Sequence, residues 1–193
     1  RHRNIEAMRW RTGHGTQVIA LHGPTLGTWP EPNGGTPDPP PEPFSRGLDT
    51  GVPVVVRFAE PRYVHELRTG RHSDGLTRTF KTSATAFTAT LLVASSRPLH
   101  APILSVVTDS VRRGEALGIR VAIPRARGKR VLTIQATDPD GKTAPWFKPS
   151  LIVQDGRAEL KMPIAWNESA GKGKLTATDL FTTRTSTASV QIK

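Results

Sequence analysis

Short runs of alternating apolar and polar residues recur about every ten residues along this chain, each closed by turn chemistry. No window of a dozen residues carries an apolar face at helical spacing, so the periodicity argues for strands throughout. In the first half the runs are Ile5–Trp10, Thr16–Leu21, Val52–Phe58, Arg62–Leu67, Thr77–Lys81 and Phe87–Ala94. Ile5, Ala7 and Arg9 would share one face, and Val18 and Ala20 another. The continuous run Val54-Val55-Val56 reads as a strand covered on both sides, broken by Glu60-Pro61.

Pro98-Leu-His-Ala-Pro102 makes a stiff connector, and a domain boundary is placed there. Beyond it seven runs follow: Ile103–Val107, Ala116–Ile123, Val131–Thr137, Phe147–Val153, Arg157–Met162, Gly173–Thr178 and Ser186–Ile192. The predicted architecture is all-β: two consecutive antiparallel β-sandwich domains, residues 1–98 and 99–193. The second is immunoglobulin-like, with about seven strands. Residues 22–50 form a long Pro/Gly-rich loop. Its centre, Trp29 to Pro43, suits neither helix nor sheet interior and reads as an extended arm for clasping a neighbour.

Composition narrows the chemistry. The 193 residues include no cysteine, which removes disulfides, thiolate zinc sites and cysteine nucleophiles. No apolar run is long enough to span a membrane as a helix. The opening Arg1-His2-Arg3 reads as the start of a processed chain or of a piece of a longer one. Lys and Arg number 27 against 16 Asp and Glu, a formal charge of +11. The excess is spread over both halves, 12 basic against 8 acidic in 1–98 and 15 against 8 in 99–193. Such a surplus attracts polyanions or serves only solubility.

Four cations fall within Pro124-Arg-Ala-Arg-Gly-Lys-Arg130. Arg125, Arg127, Lys129 and Arg130 are thus the candidate polyanion patch, although a solvated hairpin tip is the favoured reading. Asp138-Pro-Asp-Gly-Lys lacks the outer acids of a calcium loop and reads as a turn capped by Asp138. The six histidines show no zinc-protease spacing, and His65 and His72 flank a turn. Glu60, Glu66 and Asp74 cluster in sequence, with surface or turn roles as the default. No catalytic residue, metal ligand or cofactor is assigned. Trp29, inside the Pro-rich loop, is the first candidate for an exposed carbohydrate or partner contact, and Trp146 the second. Trp146 and Trp166 also read as the large core or rim groups of the second half.

Several stretches resemble a known family. Arg62-Tyr-Val-His-Glu-Leu-Arg-Thr-Gly-Arg71, Gly75-Leu-Thr-Arg-Thr-Phe-Lys-Thr82 and Thr88-Ala-Thr-Leu-Leu-Val-Ala94 resemble a C-terminal β-sandwich of bacterial β-galactosidase-type glycoside hydrolases. His65 stands where that pattern carries an aspartate. Thr16–Leu21 is similar to the module's early strand. Val131–Lys142, Ile164–Lys172 and Leu175–Leu180 resemble the immunoglobulin-like accessory domains of the same proteins. The resemblance implies a non-catalytic accessory region of an exported carbohydrate-active protein: extracellular, cell-surface or periplasmic. Its partners would be a catalytic domain, neighbouring subunits or polysaccharide. The alternatives are a subunit of an extracellular filament or surface layer, built by strand addition, and a polyanion-binding module. An enzyme in its own right is not expected.

Overall fold

A computed structural model describes residues 5–23, 51–85, 88–144 and 147–193. The chain is all-β, two consecutive antiparallel β-sandwich units that divide between Arg97 and Pro98.

The first unit has five strands: β1 (Glu6–Arg11), β2 (Gln17–His22), β3 (Val52–Glu66), β4 (Thr77–Ala84) and β5 (Thr90–Ser95), in the order β1-β2-β5-β3-β4. The long strand β3 serves both layers. Its first part pairs with β4, from Val52 opposite Ala84 to Arg57 opposite Thr79. Its last four residues pair with β5, from Tyr63 opposite Ser95 to Glu66 opposite Leu92. The expected break at Glu60-Pro61 is instead a bulge inside one strand. Five steps from Arg57 to Arg62 face only the two steps from Thr79 to Thr77. Pro61 has no N–H to give a ladder, so its placement in the unpaired stretch costs no hydrogen bond. The Arg78 guanidinium donates to the Ala59 carbonyl at 3.0 Å and ties the bulge to β4.

Ile19, Leu21, Val64, Phe80, Leu92 and Ala94 form the core of this unit, with Val54, Val56 and Phe58 packed against it. The reading of Val54-Val55-Val56 as covered on both sides is corrected. Val54 and Val56 turn inward, whereas Val55 is 50% exposed, because only one face of β3 is covered there.

The second unit runs β6 (Ile103–Val106), β7 (Ser110–Val111), β8 (Ala116–Ala122), β9 (Lys129–Thr137), β10 (Ser150–Gln154), β11 (Arg157–Pro163), β12 (Gly171–Asp179) and β13 (Thr185–Ile192). The order is β6-β8-β11-β10-β9-β12-β13-β7. Only the pair Gln154–Arg157 joins β10 to β11, across the Asp155-Gly156 turn. The ladder therefore separates into β6-β8-β11 and β10-β9-β12-β13, the two layers of an immunoglobulin-like sandwich. Seven of the eight strands coincide with the predicted runs to within a few residues at each end. The two-residue β7, parallel to β13, has no sequence signal. Asp138 closes its turn as expected, its Oδ1 accepting from the Lys142 N–H at 2.7 Å. Trp166 is not a core group: it is 81% exposed.

Period two fills this core. Leu117, Ile119 and Val121 point inward from β8, Leu132, Ile134 and Ala136 from β9, and Leu175 and Ala177 from β12. Arg130 and Asp179 are in phase with those residues, so the same alternation carries both charges inside, where they are 5% and 0% exposed. They form an ion pair, Arg130 Nη2 donating to Asp179 Oδ2. Thr182 Oγ1 donates to the same carboxylate oxygen at 2.5 Å, and the Phe181 N–H to Oδ1 at 3.2 Å. The guanidinium lies over the Phe181 ring, 5.7 Å from its centroid. Burial lowers the Arg130 pKa from its ordinary value to about 10, which leaves it charged at neutral pH.

Removing one partner of such a pair strands a charge in the interior. Asp179→Ala is expected to cost about 3–5 kcal/mol in urea unfolding. The double variant Arg130→Met/Asp179→Leu should recover most of that loss.

Candidate functional site

The β1–β2 hairpin turns at Gly13-His14-Gly15, where His14 takes a left-handed φ of 72°. The Thr12 N–H donates to the Thr16 carbonyl at 2.9 Å and closes the turn. The antiparallel register then sets Arg9 opposite Ile19 and Arg11 opposite Gln17. Opposed residues share a face, so both arginines point to the side on which Ile19 meets the core. Because β1 is the edge strand, these long side chains extend past the core into solvent.

The first half of β3 and its bulge form the other wall, contributing Val56, Arg57, Phe58 and Glu60. Between the walls lies an open cleft of about 490 Å³. Among the described residues four arginines line it, Arg9, Arg11, Arg57 and Arg62, against one carboxylate, Glu60. Arg62 has a structural task. Its Nη1 donates to the Gly15 carbonyl at 3.1 Å and its Nη2 to Glu60 Oε2 at 3.0 Å. It fastens the hairpin tip to β3, and its charge is met by Glu60. Arg9, Arg11 and Arg57 are exposed, and among the described residues no carboxylate lies within ion-pairing distance of them.

Three exposed arginines lining a concavity, with no carboxylate partner among the described residues, suit carboxylate, sulfate or phosphate groups, which match the planar donor fork. Among the described residues no group of three or more His, Asp or Glu is placed to hold a metal ion.

The residues singled out from sequence lie elsewhere. Trp29 and Trp146 fall outside the described residues, as does the arm from Trp29 to Pro43. Arg125 and Arg127 are exposed on the connection from β8 to β9, and Lys129 is exposed at the first position of β9. Asp155 is beside that connection, its Oδ1 accepting from the Gly128 N–H at 2.8 Å. Arg130 does not belong to a surface patch, because it is buried against Asp179. The rings of His65 and His72 stack with centroids 5.6 Å apart. Glu60, Glu66 and Asp74 do not converge: Glu60 lines the cleft, Glu66 is buried facing Arg71 at 3.8 Å, and Asp74 is exposed.

Sequence reading missed the arginine cleft. Arg9 and Arg11 were visible as alternate residues of one strand. That they line one cleft with Arg57, nearly fifty positions on, follows only from the tertiary pairing of β2, β5 and β3.

No family model and no curated protein matches the chain. Among solved structures it is similar to the CARDB domain of a Pyrococcus furiosus protein in complex with di-metal ions, at 9% identity and a TM-score of 0.32. That likeness covers 51% of this chain and 95% of the other. A Pseudomonas fluorescens alkylpurine DNA glycosylase bound to abasic-site DNA matches at 10% identity and a TM-score of 0.32, over 50% of this chain and 31% of its own. The chicken interferon gamma receptor alpha chain matches at 8% identity and a TM-score of 0.28, over 99% and 96%. At these scores the likenesses carry no argument about function. An all-β fold without a catalytic family match is compatible with a non-enzymatic protein.

Arg62→Ala removes the hydrogen bond that fastens the hairpin tip and the ion pair with Glu60 beside it. A loss of about 1–2 kcal/mol in thermal or urea unfolding is expected. Faster proteolysis near Thr12 to Thr16 should accompany it.

Proposed function

We propose that the chain is a non-catalytic accessory region of an exported, multidomain carbohydrate-active protein. Its first unit would hold an acidic polysaccharide in the arginine-lined cleft. The observation that carries this reading is the set Arg9, Arg11 and Arg57: three exposed arginines that line one concavity and have no carboxylate partner among the described residues. The formal +11 supports it by drawing polyanions toward the surface before contact. Among the described residues the ring that lines the cleft is Phe58, which is half-buried against the core, so those residues do not present the stacking platforms typical of single-stranded nucleic-acid grooves. Anionic sugars need no such stacking to engage guanidiniums. The catalytic partner implied by the sequence resemblance, and an extracellular, cell-surface or periplasmic location, are part of the same proposal.

A second reading, assembly into a filament or surface layer by strand addition, is favoured by one observation. Strand β1 is an edge, exposed along its whole length. Arg9 and Arg11 on that edge oppose it, since charges on edge strands discourage pairing.

Retention on immobilised heparin and on polygalacturonate, measured against rising NaCl, separates these readings. The triple variant Arg9→Ala/Arg11→Ala/Arg57→Ala should lose most retention, and its salt dependence should flatten by about one counterion per arginine. An unchanged salt dependence would exclude the cleft as the binding site. Stronger and arginine-dependent binding to single-stranded DNA would reassign the polyanion. Concentration-dependent growth into long particles would favour the filament.

A further inference from the structure

Two turns meet at one end of the second unit. The first spans Arg112 to Glu115, with the Glu115 N–H donating to the Arg112 carbonyl at 3.1 Å. The second spans Ala165 to Glu168, with the Glu168 N–H donating to the Ala165 carbonyl at 3.2 Å. Backbone bonds lock them together, Gly114 N–H to the Ile164 carbonyl at 2.9 Å and Ile164 N–H to the Glu115 carbonyl at 2.8 Å. Trp166 projects from the second turn and rests on the first. A β-carbon built on Gly114 would fall 2.4 Å from its Cε2 and Cζ2 atoms and 2.8 Å from Cη2, so only glycine leaves room for the indole. Gly114 also holds a φ of +81°, which a side chain would strain.

The ring is thus seated on one side by backbone, yet the residue remains 81% exposed. Tryptophan is on average among the more buried side chains, so this degree of exposure calls for an explanation. A protein hot spot is ordinarily surrounded by other groups that exclude water. Here Arg112, Glu115 and Asn167, the flanking residues on the two turns, are polar and exposed. A flat apolar ring bordered by hydrogen-bonding groups is the arrangement that takes a sugar, whose C–H face stacks while its hydroxyls find donors and acceptors.

We propose that Trp166, seated on Gly114, is a stacking platform for a pyranose ring, a second carbohydrate subsite independent of the arginine cleft. The choice of a sugar rests on the polysaccharide reading above; the platform itself does not.

The test is native affinity electrophoresis of the full chain at acidic pH, in gels containing xylan, galactan, mixed-linkage glucan or no polysaccharide. At least one of these neutral polymers should retard the wild type. Trp166→Ala should weaken that interaction about tenfold, and Trp166→Phe by less. The triple arginine variant should be retarded as strongly as the wild type. Trp166 lies on a solvated turn, and thermal melting will confirm that both variants fold. The proposal is overturned if Trp166→Ala behaves as wild type in every gel, or if no neutral polymer retards the wild type. Failure of the cleft reading appears separately, as a triple arginine variant that keeps its retention on heparin and polygalacturonate.

Discussion

Arg130 and Asp179 enter the interior of the second sandwich from β9 and β12, neighbouring strands of one layer, and among the described residues each is the other's only ionic partner. Much of that unit is tied to this pair. Asp179 ends β12 and organises the return to β13 through Phe181, Thr182 and its own backbone bonds to Thr183 and Arg184. Arg130 lies at the start of β9, immediately after the exposed cations Arg125, Arg127 and Lys129. A slip of one residue in either strand would turn a charge outward and leave its partner buried alone. The pair is weak as a source of net stability, since desolvation offsets most of the attraction. Its effect is to make one register far better than its neighbours.

The first unit is organised differently. Its constraint is β3, which leaves one layer and enters the other through the bulge from Phe58 to Pro61. That bulge offers Glu60 to Arg62, and Arg62 in turn holds the tip of the β1–β2 hairpin. One intramolecular arginine thereby fixes the wall that presents Arg9 and Arg11, while β3 contributes Arg57 to the lining of the same cleft. Residues of a single type divide here: Arg62 is neutralised and half of a brace, and the other three are exposed with no carboxylate partner among the described residues.

Strand positions and turns were legible because they depend on local chemistry. Alternation marked nearly every strand, and Asp138 declared its own turn. What failed to show was long-range. Arg130 read as the last cation of a hairpin, yet it is in phase with Leu132, Ile134 and Ala136, and the inward direction of that phase could have been read from β9 itself. Its partner, 49 residues away, could not. Glu60-Pro61 looked like a strand end because proline cannot extend a ladder, but a bulge tolerates it within a strand. Trp166 read as a core or rim group; it is 81% exposed, its ring resting on Gly114, a contact that no sequence spacing announces. The arginine cleft joins two short cationic segments that no sequence spacing connects.

The central claim is that the first unit holds an anionic polymer between β1 and the β3 bulge. Titrating the isotopically labelled chain with a heparin-derived hexasaccharide, and following backbone amide shifts, tests it residue by residue. Saturable shifts concentrated at Arg9, Arg11, Arg57 and the bulge are expected. Shifts confined to Arg125, Arg127 and Lys129, or none that saturate, would contradict it.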